Sequence, residues 1–424
     1  MLIARGVGEA HHRLRVMVQA NSQIRSNRML GRRTLFSAAA TTGAAIASFF
    51  TGKSAQAKTA ASSFENDFEA RGTDGRLERL ATLDLEGIQD FLTGFRTKVN
   101  TEFEGIALKR SRKVLEEAGL NPYGDHPMET VLPLLENDPV IGMRTRVWVG
   151  SQQLTWKSLQ DHFHGNADVY LDEMEEADNA GPGTLELNPD MDIPDYTKHE
   201  IHIQPGGYVG DPFAGHIYHY GTNMFFAGRN YQDELHIGHA RDVTAPKDGK
   251  VLRVLELGSG SGQLTVALKE RFPDAEVWGI DVGGPMVRYA HMRAADLGVD
   301  VNFAQRLAED TKFPDGHFDI VMSHLFFHEL TEQASKDVIA EAHRILRPGG
   351  TFYPIDLWSR GQRPGPQAFQ KYTYWFNHRW NGEVWFMEYA NLDFEGTMRE
   401  VGFDVNERER GRRFFENLTG TKKV

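Results

Sequence analysis

The chain reads as a doubly wound α/β fold with a helical region on its N-terminal side. From about residue 250, branched apolar runs alternate with helix-period segments, placing strands near 251, 275, 300, 318 and 350 and helices near 263, 284 and 332. The first of these runs, Val251 to Leu255, ends in a turn carrying Gly258, Gly260 and Gly262. Upstream, Phe64 to about Phe163 is rich in helix formers, with Leu85, Ile88, Phe91 and Leu92 at helical intervals.

The glycine turn is where ligand chemistry is expected. Val251 to Leu255 suits a parallel strand buried on both faces, and the chain then enters a helix near Gln263. Glycines fit a turn whose backbone a ligand must approach closely. A dinucleotide fingerprint, G-x-G-x-x-G, would need its third glycine where Gln263 stands. Glu256, two residues before Gly258, would repel a pyrophosphate but favour a cation such as the sulfonium-bearing amino acid of S-adenosylmethionine. Ala275 to Asp281 reads as the second strand. Its terminal carboxylate lies about 20 residues beyond the glycines, where it can accept both hydroxyls of a ribose.

On these residues the sequence resembles the class I S-adenosylmethionine-dependent methyltransferases. Glu256 to Gly262 is similar to the first motif of that family and Asp281 to the end of its second. Ala308 to Ser323, Leu346-Arg-Pro-Gly-Gly350 and Val401-Gly-Phe403 continue the resemblance in order, so that it covers roughly residues 245 to 424. It implies a Rossmann-like, seven-stranded sheet of methyltransferase type over residues 246–424, with Gly402-Phe403 and Arg412 to Leu418 supplying the last antiparallel pair. The implied cofactor is S-adenosylmethionine. Ligands of such sheets lie beyond the carboxyl ends of the strands, which selects Glu256, Gly258, Ser259, Gly260, Gly262, Asp281, Glu309 and Ser323 as cofactor-binding candidates. The family commonly places an acid before the Ala-Glu pair for the adenine, but Leu307 stands there, which moves that contact to Glu309, Asp310 or a backbone carbonyl.

Composition narrows the partners. A net charge of −12 and the lack of a Lys/Arg run beyond the N-terminus argue against nucleic acid, and the absence of cysteine excludes disulfides and thiolate chemistry. Gly31-Arg-Arg-Thr-Leu-Phe36, a weakly apolar run from Thr34 to Phe50, and Ala55-Gln-Ala57 resemble a twin-arginine export signal with its cleavage site. Residues 1–57 carry eight Lys/Arg against one acid, so the remainder holds a net charge of −19. The expected partner is the twin-arginine export machinery, the expected location periplasmic or secreted, and no stable membrane span is expected after cleavage. Met29 is an alternative start.

Residues 58–195 form the expected helical domain, interrupted at Asn121-Pro-Tyr-Gly124, with further helices at Met128 to Leu135 and Leu154 to Phe163. Residues 196–245 mix glycine, aromatics and histidine and read as a lid or connector. Three His-x-x-His pairs lie here: His199/His202, His216/His219 and His236/His239. Glycines and Pro205 argue against helix at the first two pairs, and no carboxylate is spaced as in a hydrolytic zinc motif. The pairs are therefore expected to pack, and no metal site is predicted.

Candidate catalytic residues are His324, at the end of the fourth strand where the family faces its substrate, and His328, four residues on. A neutral imidazole there suits a general base. The aromatic-rich stretch from Gln370 to Phe386 either shapes an acceptor pocket or covers the helical domain. The expected activity is methyl transfer to a small organic acceptor, aromatic or apolar. The alternatives are an exported, noncatalytic binding protein retaining the same fold and, disfavoured by Gln263 and Glu256, a nicotinamide-dependent oxidoreductase.

Overall fold

The computed structural model describes residues 72–357, 366–406 and 415–424. The expected leader, with Arg32 and Arg33, lies outside them. After a small hairpin, Thr73–Asp74 with Leu77–Glu78, the chain enters α1, Leu83–Lys98. The Thr82 hydroxyl caps it by accepting from the Leu85 amide at 3.3 Å. A π-helical turn, Val99–Phe103, leads directly into α2, Glu104–Glu117, and the Asn121 to Gly124 break follows as the sequence predicts. Next come α3, Met128–Glu136, α4, Pro139–Gly165, and α5, Ala167–Ala177. Pro139 opens α4 behind Asp138, whose carboxylate accepts from the Val140 and Ile141 amides at 3.0 and 3.3 Å.

Strand β1, Leu185–Glu186, precedes the connector, which holds α6, Ala214–Thr222, and α7, Glu234–Asp242. The expectation of no helix at His216 and His219 is overturned, since both lie in α6. Its glycines serve close packing rather than chain breaking. A Cβ at Gly221 would fall 1.9 Å from the Trp156 ring of α4, and one at Gly215 would fall 2.3 Å from Tyr289.

The C-terminal half follows the expected alternation. It comprises β2, Arg253–Leu257, α8, Gln263–Arg271, β3, Glu276–Asp281, α9, Gly284–Leu297, and β4, Asn302–Gln305. These are followed by β5, Phe318–His324, α10, Glu332–Ile345, and β6, Leu346–Leu357. Three helices come next, α11, Gln367–Trp380, α12, Phe386–Asn391, and α13, Phe394–Val401, and then β7, Phe403–Val405, β8, Phe415–Asn417, and β9, Gly420–Lys422.

The sheet order is β1-β4-β3-β2-β5-β6-β9-β7, with β8 also paired to β6. Strands β1 to β6 run parallel, and β9 is antiparallel to both β6 and β7. The seven expected strands are present, but the sheet has nine: β1 extends the β4 edge, and β8 pairs beside β9 along β6. The last pair is also displaced from the expected Arg412 to Leu418. Strand β6 is 12 residues long, so Phe415–Asn417 pairs with its far end while Gly420–Lys422 reaches β7.

Val254, Val277, Ile320 and Ile355 pack with α8 and α9 on one face of the sheet. Leu255, Ile280, Val321 and Phe352 pack with α10 and α13 on the other. In the helical layer, Trp156, Phe163 and Ile217 form one cluster. Ala107, Leu115 and Ile141 form another, into which α11 inserts Phe369 and Tyr372. The described residues all belong to one compact unit.

Replacing Gly221 with Ala should force α4 and α6 apart and cost about 1–3 kcal/mol. Denaturant unfolding reads this as a lower midpoint, and an unchanged midpoint would mean that the helices can separate freely at this contact.

Candidate active site

The turn after β2 is built from left-handed glycines, with φ of +66° at Gly258, +51° at Gly260 and +75° at Gly262. Packing accounts for the outer two. A Cβ at Gly258 would sit 2.3 Å from the Phe326 ring, and one at Gly262 would sit 2.8 Å from Ala290 and Phe303. At Gly260 the nearest atoms, on Tyr218 and Met286, are 3.7 and 3.8 Å away, ordinary contact distances, so its left-handed backbone rather than crowding calls for glycine. Asp281 fixes this turn. One of its carboxylate oxygens accepts from the Gly260 amide at 3.0 Å, the other from the Gly283 amide at 2.8 Å.

Glu256 is buried and accepts from the Thr265 hydroxyl. Burial, reinforced by the charge of Asp281, pushes its pKa up to about 8. Among the described residues no lysine or arginine pairs with Glu256 or Asp281. The Ser259 and Ser323 hydroxyls are buried without hydrogen-bond partners at the ends of β2 and β5. One buried and one half-buried carboxylate, a left-handed glycine turn and two unengaged hydroxyls can hold a cationic, polyhydroxylated ligand. Glu309 lies farther along the edge, accepting from the Tyr196 hydroxyl. Gln263 takes a structural role, donating at 2.8 Å to Asp233, which pairs with Arg293 and ties α8 to the connector.

Beyond β5 the chain turns sharply, with Leu325 at φ +52°. His324 is half-buried, 5.1 and 4.7 Å from His236 and His239 between ring centroids. Burial, helped by the neighbouring imidazoles, lowers its pKa well below 6.5 and keeps the ring neutral. Asp356 at the end of β6 accepts from the Phe326 and Phe327 amides at 3.0 and 2.7 Å, and its other oxygen lies 2.6 Å from His328 Nδ1. Burial opposes charge on His328, but the carboxylates of Asp356 and Glu329 outweigh it and raise its pKa well above 6.5. His324 and His328 thus titrate in opposite directions, a separation typical of acid and base roles.

The connector brings a third histidine to this edge. His202 lies at φ +54°, and its carbonyl accepts from Gln152 Nε2 and Trp156 Nε1, both at 2.8 Å. Its Nε2 is 3.5 Å from Glu329 Oε1 and its Nδ1 is 3.2 Å from Glu383 Oε1. The other connector pairs match the packing expectation in part: His216 sits among the Phe163, Tyr170 and Phe213 rings, and His219 bonds the Tyr289 hydroxyl at 2.7 Å. Glu329 and Glu383 were not legible as site residues. The His199/His202 pair was visible, but its partners lie more than 100 residues away in sequence.

The aromatic stretch packs in two directions. Tyr372 reaches into the helical layer, its hydroxyl 3.1 Å from that of Thr145, whereas Trp385 donates to the Tyr196 carbonyl at 2.9 Å near His199. A cavity of about 600 Å³ opens alongside, lined by His199, Ile203, His378, Arg379 and Trp380. Tyr218, against Gly260, meets Tyr208 edge to face at 5.3 Å, and the Tyr208 carbonyl abuts Gly283. Both rings lie within reach of the charges of Asp281 on the glycine-turn side and Glu329 on the histidine side.

Glu256 has a folded pKa above its ordinary 4.5, so its contribution to stability is complete below that value and is lost as pH rises to about 8. Unfolding of the ligand-free protein between about pH 5 and 9 should show this decline, and Glu256→Gln should flatten it while keeping the Thr265 bond. An identical slope in the variant would assign the decline elsewhere.

A family model described as a methyltransferase domain matches residues 254–350. The demethylmenaquinone methyltransferase of Thermus thermophilus is 39% identical over 105 residues, 25% of this chain and 47% of that protein. An uncharacterized methyltransferase of Synechocystis is 31% identical over 36% of this chain and 67% of its own length. The ubiquinone/menaquinone biosynthesis C-methyltransferase UbiE of Cupriavidus necator is 29% identical over 31% and 55%. The matched region thus spans between about half and two thirds of these relatives and about a third or less of this chain. With its glycine turn on the matched segment and the sheet order continuing around it, the chain belongs to the S-adenosylmethionine-dependent methyltransferase family.

Proposed function

We propose that this protein methylates a small organic acceptor, aromatic or apolar, and that it is exported by the twin-arginine route. The buried carboxylate of Glu256 and the half-buried one of Asp281 on adjacent parallel strands, without a cationic partner among the described residues, carry the first part. A bound sulfonium-bearing amino acid supplies positive charge beside Glu256, and Asp281 retains lone pairs for ribose hydroxyls beyond the amides it already holds. Ser259 and Ser323 offer hydroxyls to the same ligand, and Glu309 lies where an adenine contact is expected.

S-adenosylmethionine supplies an electrophilic methyl group. The protein's part is to align the acceptor with that methyl group and exclude water. His324, neutral at the end of β5, takes a proton where the acceptor carries one, and His328 is held in a fixed orientation by Asp356. The rings of Tyr208, Tyr218 and Trp385 favour a flat acceptor, and relatives named for menaquinone and ubiquinone synthesis support that class. Export rests on Arg32-Arg33 and Ala55-Gln-Ala57; among the described residues no helix is long and apolar enough to cross a membrane.

Thermal shift with S-adenosylmethionine, its demethylated product and NAD tests the cofactor. At about 100 times the dissociation constant, binding adds about 2.7 kcal/mol and raises Tm by a few degrees. The shift should appear with donor and product and vanish in Asp281→Ala; a shift with NAD alone would sink the reading, and donor binding without consumption would leave only a binding protein. His324→Ala should lower turnover by about 10²- to 10⁴-fold while donor binding persists. Unchanged turnover would remove His324 from the mechanism.

A further inference from the structure

We infer that His202, His328 and Glu329 form a binding site for a divalent transition-metal ion on the acceptor side of the cofactor turn. One ligand atom from each lies within 4.8 Å of the other two. His202 Nε2 and His328 Nε2 stand 3.5 and 3.4 Å from the same Glu329 oxygen. An ion about 2.0–2.2 Å from nitrogen and oxygen ligands holds them a little over 3 Å apart, close to the spacing found here. Two imidazoles and one carboxylate suit zinc or iron(II), and leave coordination positions open.

Three further observations separate this arrangement from an ordinary hydrogen-bonded cluster. Both Glu329 carboxylate oxygens are buried without a hydrogen-bond partner, as are His199 Nε2 and one oxygen of Glu383. A buried carboxylate left so is costly unless a cation approaches it, and a metal ion replacing the Nε2 proton of His328 would bring more charge to it than the imidazolium at 3.4 Å. Glu329, Asp356 and Glu383 pair with imidazoles, and among the described residues no lysine or arginine joins them. The outer shell is also in place: Asp356 holds Nδ1 of His328 so that Nε2 points inward, and Glu383 lies on the Nδ1 side of His202. Finally, His202 keeps a left-handed backbone that costs a non-glycine residue energy, fastened by Gln152 and Trp156. That cost aims one side chain at Glu329.

The Tyr208 and Tyr218 rings lie within reach of the charges of both Glu329 in this site and Asp281 at the glycine turn. Resting on the methyl-transfer reading, the ion would select acceptors bearing a hydroxyl or carbonyl oxygen and make a hydroxyl there more acidic.

The test is direct and needs no turnover. Chelator-treated, full-length protein is titrated with cobalt(II) and with zinc(II), following visible ligand-field absorption for the first and calorimetry for the second. One equivalent should bind per chain, and Glu329→Gln and His202→Ala should each weaken it at least about tenfold, with the thermal shift by S-adenosylmethionine retained. In the wild-type chain cobalt(II) should also displace the ring-proton resonances of two histidines, a readout independent of whether the variants fold. Substoichiometric binding, binding unaltered by the variants, or cobalt shifts confined to other histidines would overturn the site. An intact response to S-adenosylmethionine in that case would leave the methyltransferase reading standing.

Discussion

Asp281 is the constraint on which the cofactor side of the molecule depends. Its two oxygens take amides from the turns that follow β2 and β3, so two strand ends are held to one carboxylate. Burial raises its pKa, and the amides of Gly283, Gly260 and Val282 oppose that rise. The same anion therefore fixes the backbone and stays available to a ligand. Because β2, β3, β5 and β6 run parallel, their carboxyl ends gather on one edge, bringing His324 and Asp356 beside a turn that precedes them by many residues.

The acceptor side has a different construction. No single segment makes it: His202 comes from the connector, His328 and Glu329 from the turn after β5, and Glu383 from the stretch after α11. The helical layer is what brings them to one place. Buried Arg96 bonds Gln152, Gln152 bonds both the His202 carbonyl and Asn381, and Asn381 donates to Glu383 at 2.6 Å. The chain of polar contacts shows what this layer positions.

What could be read from the sequence was local. Glycines at fixed spacing, an acid at a strand end and alternating apolar runs each report on a few neighbouring residues, so the sheet, the turn and Asp281 were all legible. Failures arose where distant contacts decide the outcome. Gly215 and Gly221 look like helix breakers in sequence but are close-contact points between helices. Gln263 looked only like a missing glycine until Asp233 gave its amide a partner. The length of β6 reserved room for an additional strand that composition could not reveal. Glu329 and Glu383 are two acids among 59 Asp and Glu, and only the folded chain brings them to His202.

The insertion of α11 into the helical layer bears on how the chain is made. Tyr372 contacts Thr145 across 227 residues, and Ala368, Phe369 and Tyr372 complete an apolar cluster whose other buried members belong to α2, α3 and α4. At about 5–20 residues per second, a ribosome finishes those three helices roughly 10 to 40 seconds before it supplies Phe369. Throughout that interval the nascent layer carries an uncovered greasy flank. The N-terminal half therefore cannot mature as an independent unit during synthesis, and the late closure of such distant contacts makes acquisition of the native state slow and dependent on near-complete emergence of the chain.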